Sequence, residues 1–210
     1  MFGIDNFAAF LLAGILLNMT PGSDTMYILG RSLSQGMRAG VYSALGIAVG
    51  CLVHTFLAAF GLSVLIAQSQ VAFNVVKYLG AAYLFYLGIR MILTRDEAAF
   101  DVAAIAETNY RQVFISGVVT NVLNPKVALF FIAFLPQFVQ KSYGHTSLSF
   151  LLLGITFNLT GTIWNLLLAI FSANMSEGFK RNGRIKTWLN RFTGTIFILL
   201  GIKLAVERSR

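Results

Sequence analysis

One cysteine, Cys51, leaves the chain without an internal disulfide framework. Two histidines, His54 and His145, give no metal-ligand spacing. Charge is scarce too: 11% of the 210 residues are charged, against about a quarter in a typical soluble domain. No Gly-x-Ser-x-Gly element, no His-Glu-x-x-His motif and no paired acids stand in the apolar runs, so hydrolase and zinc chemistry have no residues to use there. No metal and no cofactor are expected. Alternating segments of about ten residues, the mark of a membrane barrel, are missing as well. The start has no basic leader, carries Asp5, and its apolar run is too long for a cleaved signal peptide, so the first segment is expected to remain as a span.

What fills the chain instead is hydrophobic residues, 57% of the total, in recurrent runs of membrane-spanning length. The expected fold is all-α and polytopic, with six spans at about 6–29, 40–66, 71–93, 113–138, 147–173 and 188–206. These form one membrane domain over residues 1–210. A polar connection at 94–112 separates the halves 1–93 and 113–210. The first span is expected to turn at Gly30-Arg31 into a polar link from Ser32 to Arg38. The net charge of +8 would suggest nucleic acid in a soluble chain. Here the positives fall in links between spans, where they set orientation against a bilayer, and no nucleic acid is expected. Ten Lys and Arg on one side against five on the other favour both termini outside.

The halves echo each other. Asn18-x-x-Pro21 recurs as Asn121-x-x-Asn124-Pro125, and Leu87-Gly88-Ile89-Arg90 recurs as Leu200-Gly201-Ile202-Lys203. Each half has three spans, an odd number, so the second half should lie inverted relative to the first, as in many secondary transporters.

The stretch Asn18-Met19-Thr20-Pro21-Gly22-Ser23-Asp24 sets a helix breaker and a carboxylate inside an apolar run. Both are costly in lipid. Half-helix N-termini attract carboxylates, and freed carbonyls attract cations. If the breaks at Pro21 and Pro125 face one another, then Asn18, Thr20, Pro21, Gly22, Asn121, Asn124 and Pro125 form one site. Its mixed donors and acceptors suit an amino acid. Both prolines could instead merely kink packing helices. Asn158 and Asn165, on one face of the fifth span with Gly154 and Thr162, either line this site or hold helices together.

Asp24 is the one acidic residue inside an expected span, and Lys126 is its basic match in the fourth. They either neutralise each other as a structural pair, or Asp24 takes up a proton or meets a substrate ammonium. Intramembrane ionisable groups are functional by default, which favours the second. His54 shares a stripe with Gly46, Gly50 and Ala58, where it relays protons or simply packs. Tyr78, Tyr83 and Tyr86 suit core or interface better than a substrate cage.

These residues carry a resemblance. Asn18-Met-Thr-Pro-Gly-Ser-Asp-Thr25, Gly36-Met-Arg-Ala-Gly40 and Ala44-Leu-Gly-Ile-Ala-Val-Gly50 with His54 resemble the LysE/RhtB-type amino-acid exporters. Gly80-Ala-Ala-Tyr-Leu-Phe-Tyr-Leu-Gly88 and Asn121-Val-Leu-Asn-Pro-Lys126 extend the resemblance over nearly the whole chain. It implies a six-span protein of the bacterial inner membrane that exports amino acids such as threonine, homoserine or leucine by proton antiport. The partners implied are the substrate, protons and the lipid bilayer, and exposed small-residue stripes permit a homodimer. Ser23 stands where the family usually has a second proline, which softens the break. The rivals are a metal-cation exporter, an intramembrane enzyme and an inert scaffold. A cation site wants several oxygen ligands, and the nearby Lys126 speaks against one.

Overall fold

Glycine, proline and asparagine mark several of the described helix ends, among them Asn6, Pro21–Gly22, Gly36, Asn109 and Asn124–Pro125. A computed structural model describes residues 2–62, 108–140 and 143–173, with scattered helical positions between 71 and 93 and between 191 and 202. Helix α1 spans Phe7–Met19 and α2 spans Ser23–Gln35, and the pair is bent by 47° at the intervening break. Helix α3 spans Met37–Leu57 and runs on as a wider π turn over Ala58–Leu62. Helix α4 spans Tyr110–Val122, and α5 spans Pro125–Leu129. A π turn at Phe130–Phe134 and a 3-10 turn at Leu135–Phe138 extend α5, and this second pair is bent by 44°. Helix α6 spans Thr146–Ala173.

The architecture is all-α. Among the described residues there is no strand, only an isolated bridge between Ile4 and Val139. Two helices there, Met37–Leu62 and Thr146–Ser172, are long and apolar enough to cross a membrane, and the number rises to four if each bent pair is one span. The expected third and sixth spans lie outside the described residues apart from scattered helical positions. So do most of the 94–112 connection, the basic link after α6 and the Leu-Gly-Ile repeat. Tyr83 is outside them too, whereas Tyr78 and Tyr86 are helical and more than half exposed.

One expected boundary is corrected. Helix α2 runs through Ser32 to Gln35, and α3 begins at Met37, so the polar link is a single residue, Gly36. Gly36 adopts φ 84°, a left-handed conformation that glycine takes at little cost. Ser32, expected in the link, is buried, and it faces Gly40 across the α2–α3 hairpin.

Polarity is distributed inside out. Leu12, Leu57, Phe60, Ile163 and Phe171 are each more than 60% exposed, whereas Thr20, Asp24, Asn121 and Asn124 are buried. That pattern suits lipid, in which an outward leucine costs nothing and helices are held by close backbone approach and interior polar contacts. The α3–α4 contact is made this way. A Cβ on Gly50 would lie 2.8 Å from both the Asn121 Cβ and the Val118 carbonyl oxygen, and one on Gly117 would lie 2.8 Å from the Ser43 carbonyl oxygen. The small-residue stripe read from Gly46, Gly50 and His54 is therefore buried against α4.

The two bent pairs run antiparallel. The backbone N–H of Asp5 donates to the Phe138 carbonyl, 2.9 Å, which ties the start of α1 to the end of the α5 extension. The Tyr27 hydroxyl on α2 donates to the Val113 carbonyl near the start of α4, 2.7 Å. Phe10, Phe130, Phe134, Phe138 and Phe157 interlock between α1, the α5 extension and α6, with Phe130 and Phe157 rings stacked at 4.5 Å. This aromatic body fixes one half of each bent pair against α6. The breaks come to lie opposite each other.

Candidate functional site

Proline at position 21 has no N–H to give the Leu17 carbonyl, so α1 ends there. Thr20 covers part of the exposed end: its backbone N–H donates to the Leu16 and Leu17 carbonyls, both at 3.1 Å, and its hydroxyl donates to Leu16 at 2.8 Å. A further part is met from the other break. The Lys126 ammonium donates to the Leu17 carbonyl at 3.2 Å and to the Thr20 carbonyl at 3.0 Å. A cation at a helix C-terminus is where the helix dipole favours it.

The second break is built differently. Asn124 caps α5, its Oδ1 accepting from the Lys126 backbone N–H at 3.0 Å, and Pro125 takes the first helical position, where its missing N–H costs nothing. The Asn124 backbone N–H donates to the Asn121 carbonyl, 2.9 Å. That same carbonyl oxygen lies 3.0 Å from His54 Nε2, and the His54 ring stacks on Phe131 at 5.7 Å.

Asp24 lies in the first turn of α2, where the helix dipole favours a carboxylate. Its Oδ2 accepts from the Asn121 side-chain amide at 2.9 Å. Asp24 Oδ1, Asn121 Oδ1 and Asn124 Nδ2 are buried without a hydrogen-bond partner. Asp24 and Lys126 line the same cavity, and each makes its hydrogen bonds with neutral groups. Each break thus contributes one charged residue, and each charged residue is held by the opposite break.

Between the breaks lies a cavity of about 20 Å³, room for one water. The first bent pair lends it Asn18, Asp24 and Thr25, and the second lends Asn121, Lys126 and Val127. Helix α3 adds Ile47, Ala48 and Cys51, while α6 adds Phe157, Asn158, Gly161, Thr162 and Asn165. Of the residues proposed from sequence, Asn18, Asp24, Asn121, Lys126, Asn158 and Asn165 are brought together on its wall. Thr20, Pro21, Gly22, Asn124, Pro125 and His54 are not; they shape the breaks behind it. Asn18 also ties α1 to α6, its amide donating to the Phe157 carbonyl at 3.3 Å and the Thr160 hydroxyl at 3.1 Å.

Sequence reasoning passed over the α3 wall. Ile47 and Cys51 stand four residues apart beside the Gly46–Gly50 stripe, a spacing that could have placed them on the same inner face.

The family model for LysE type translocators matches residues 15–208. The chain belongs to the LysE type translocator family. It is similar to the uncharacterized membrane protein YrhP of Bacillus subtilis, 31% identical over 95% of this chain and 98% of that one. It is also similar to an uncharacterized membrane protein of Pseudomonas aeruginosa, 32% identical over 97% of this chain and 96% of the other. A leucine efflux protein of Salmonella typhimurium is 27% identical over 99% of this chain and 98% of its own. No solved structure matches the chain. Membership and the inside-out helices make this LysE type translocator a multi-pass membrane protein, and point to transport rather than enzymatic turnover.

Proposed function

We propose that this translocator is a secondary transporter that exports amino acids from the cytoplasm across the bacterial inner membrane by proton antiport. Its single domain comprises six spans in two inverted three-helix halves, and the substrate binds between the breaks in spans one and four. The observation that carries the proposal is the exchange of charged residues across the breaks. Lys126 holds the Leu17 and Thr20 carbonyls, and Asn121 holds Asp24, around a cavity walled by polar groups in otherwise apolar helices. Such a constellation is expensive in lipid unless a solute uses it. The leucine efflux relatives support amino acids as the solute class.

Asp24 is the group that exchanges a proton or engages the substrate ammonium in each cycle, and His54 holds the Asn121 carbonyl in register behind it. The test is efflux of labelled amino acids from proteoliposomes with and without an imposed pH gradient. Gradient-driven movement of at least one neutral amino acid is the expected result. Movement unaffected by the gradient would remove proton coupling, and no movement of any amino acid would remove the export function.

A further inference from the structure

We infer that the site selects zwitterions with uncharged, apolar side chains, and that Ile47, Ala48 and Cys51 on α3 measure that side chain. This rests on the amino-acid export proposed above and adds to it the substrate class and the residues that discriminate.

Charge comes first. Of the cavity-lining residues, Asp24 and Lys126 are the two that carry formal charge, and their signs oppose. Two acceptors there lack partners, Asp24 Oδ1 and Asn121 Oδ1, and an α-ammonium supplies the donors they need. The Lys126 ammonium has three hydrogens, and two carbonyls take two of them. The third remains for an α-carboxylate. Both charges of a free amino acid are matched, with no described cavity-lining charge left to pair a charged side chain. A lysine or glutamate side chain would enter an uncompensated low-dielectric site, where a lone charge is costly.

The side-chain wall follows from what the remaining residues already do. Asn18 bonds Phe157 and Thr160, and the Thr162 hydroxyl lies 3.4 Å from Asn158 Oδ1, so part of the α6 polar surface is already engaged. Helix α3 contributes Ile47, Ala48 and Cys51 to the lining, and Val127 and Phe157 are its other apolar members. All five are apolar or nearly so. The cavity admits one water, so a substrate enters as the walls part, and its side chain then lies against α3. Ala48 and Cys51 are the two small side chains of that wall, so these two positions set the available depth.

Counterflow in proteoliposomes, with labelled leucine and unlabelled competitors, reads selectivity directly. Leucine, methionine and alanine should exchange, while lysine and glutamate should compete at least about a hundredfold more weakly. Ala48→Leu should reduce leucine exchange about tenfold or more relative to alanine, the scale of one or a few methylenes in an apolar pocket. In case the larger side chain disturbs folding, Cys51→Ala provides the opposite change and should shift preference toward phenylalanine. Equal competition by lysine or glutamate, or variants that change all substrates by one common factor, would overturn the inference while leaving amino-acid export standing. If neutral amino acids are not exchanged at all, the exporter assignment itself fails and this inference with it.

Discussion

The two helix breaks bend by nearly the same angle, 47° and 44°, yet they are stabilised in opposite ways. The second is self-supporting: Asn124 caps α5, Pro125 fits the first helical position, and the Asn124 N–H returns to Asn121. The first has no side-chain cap at Gly22, and part of its exposed carbonyl end is held by Lys126 from the other break. The charges differ in the same sense. Asp24 suits the N-terminal turn it occupies, whereas Lys126 opposes the dipole of its own helix and favours the C-terminus of α1. The lesson is that one break is a rigid part and the other is a dependent one. If the site moves in transport, α1–α2 is the pair whose ends have most to gain from a change of partner.

The largest expected effect separates charge from shape at the dependent break. Asp24→Asn keeps the volume and an acceptor for the Asn121 amide but removes the carboxylate. Efflux in proteoliposomes should fall about a hundredfold or more while the protein still inserts and purifies, since an intramembrane ionisable group is usually a working one. Wild-type rates across pH would remove Asp24 from the mechanism.

Next is the crossing contact. Lys126→Met keeps the stem and leaves the Leu17 and Thr20 carbonyls without their cation, a loss of about 3 kcal/mol or more in stability for two charge-assisted bonds. Lys126→Arg should restore part of it. Efflux and stability should fall together if the first break depends on the second. Unchanged melting of the Met variant in detergent would mean that the first break stands alone.

Asn124→Ala addresses the self-supporting break. It removes the cap on the Lys126 N–H and should cost about 1 kcal/mol, less than Lys126→Met because Pro125 still starts the helix. The ratio of the two melting shifts is the informative number. A larger loss for Asn124→Ala would reverse the ranking of the two breaks.

Much of this was legible in the chain because lipid makes polar residues conspicuous. Asn18, Asp24, Asn121 and Lys126 stand out in apolar runs, and the structure sets all four on one cavity. What escaped was decided by three-dimensional pairing. Sequence pairs Lys126 with Asp24 as its basic match, but it does not show that Lys126 also reaches the Leu17 and Thr20 carbonyls beside Pro21. Asn124 reads as a site residue in sequence, and its Oδ1 also caps α5, a local side-chain-to-backbone bond that residue type alone does not reveal. Ile47, Ala48 and Cys51 carry no sequence signal of function, because an apolar wall residue and a lipid-facing one are the same residue types. Ser32 to Arg38 looked like a link because it is polar. Burial of Ser32 against Gly40 carries α2 past it to Gln35.

The smallest effect concerns Ser23, the residue that follows the first break. Ser23 is exposed and is the first residue of α2, the place Pro125 occupies in α5. Gly22 before it is extended, φ −161° and ψ −170°, a conformation that a following proline tolerates. Ser23→Pro therefore meets no lost intrahelical bond, and it lowers the freedom of the unfolded chain by an amount worth about 0.4–1 kcal/mol. The variant should melt slightly higher and export more slowly, because it makes the dependent break resemble the rigid one. A variant that melts higher with unchanged efflux would show that the joint at Pro21–Gly22 does not flex during turnover. The difference between the breaks would then lie in their charges alone.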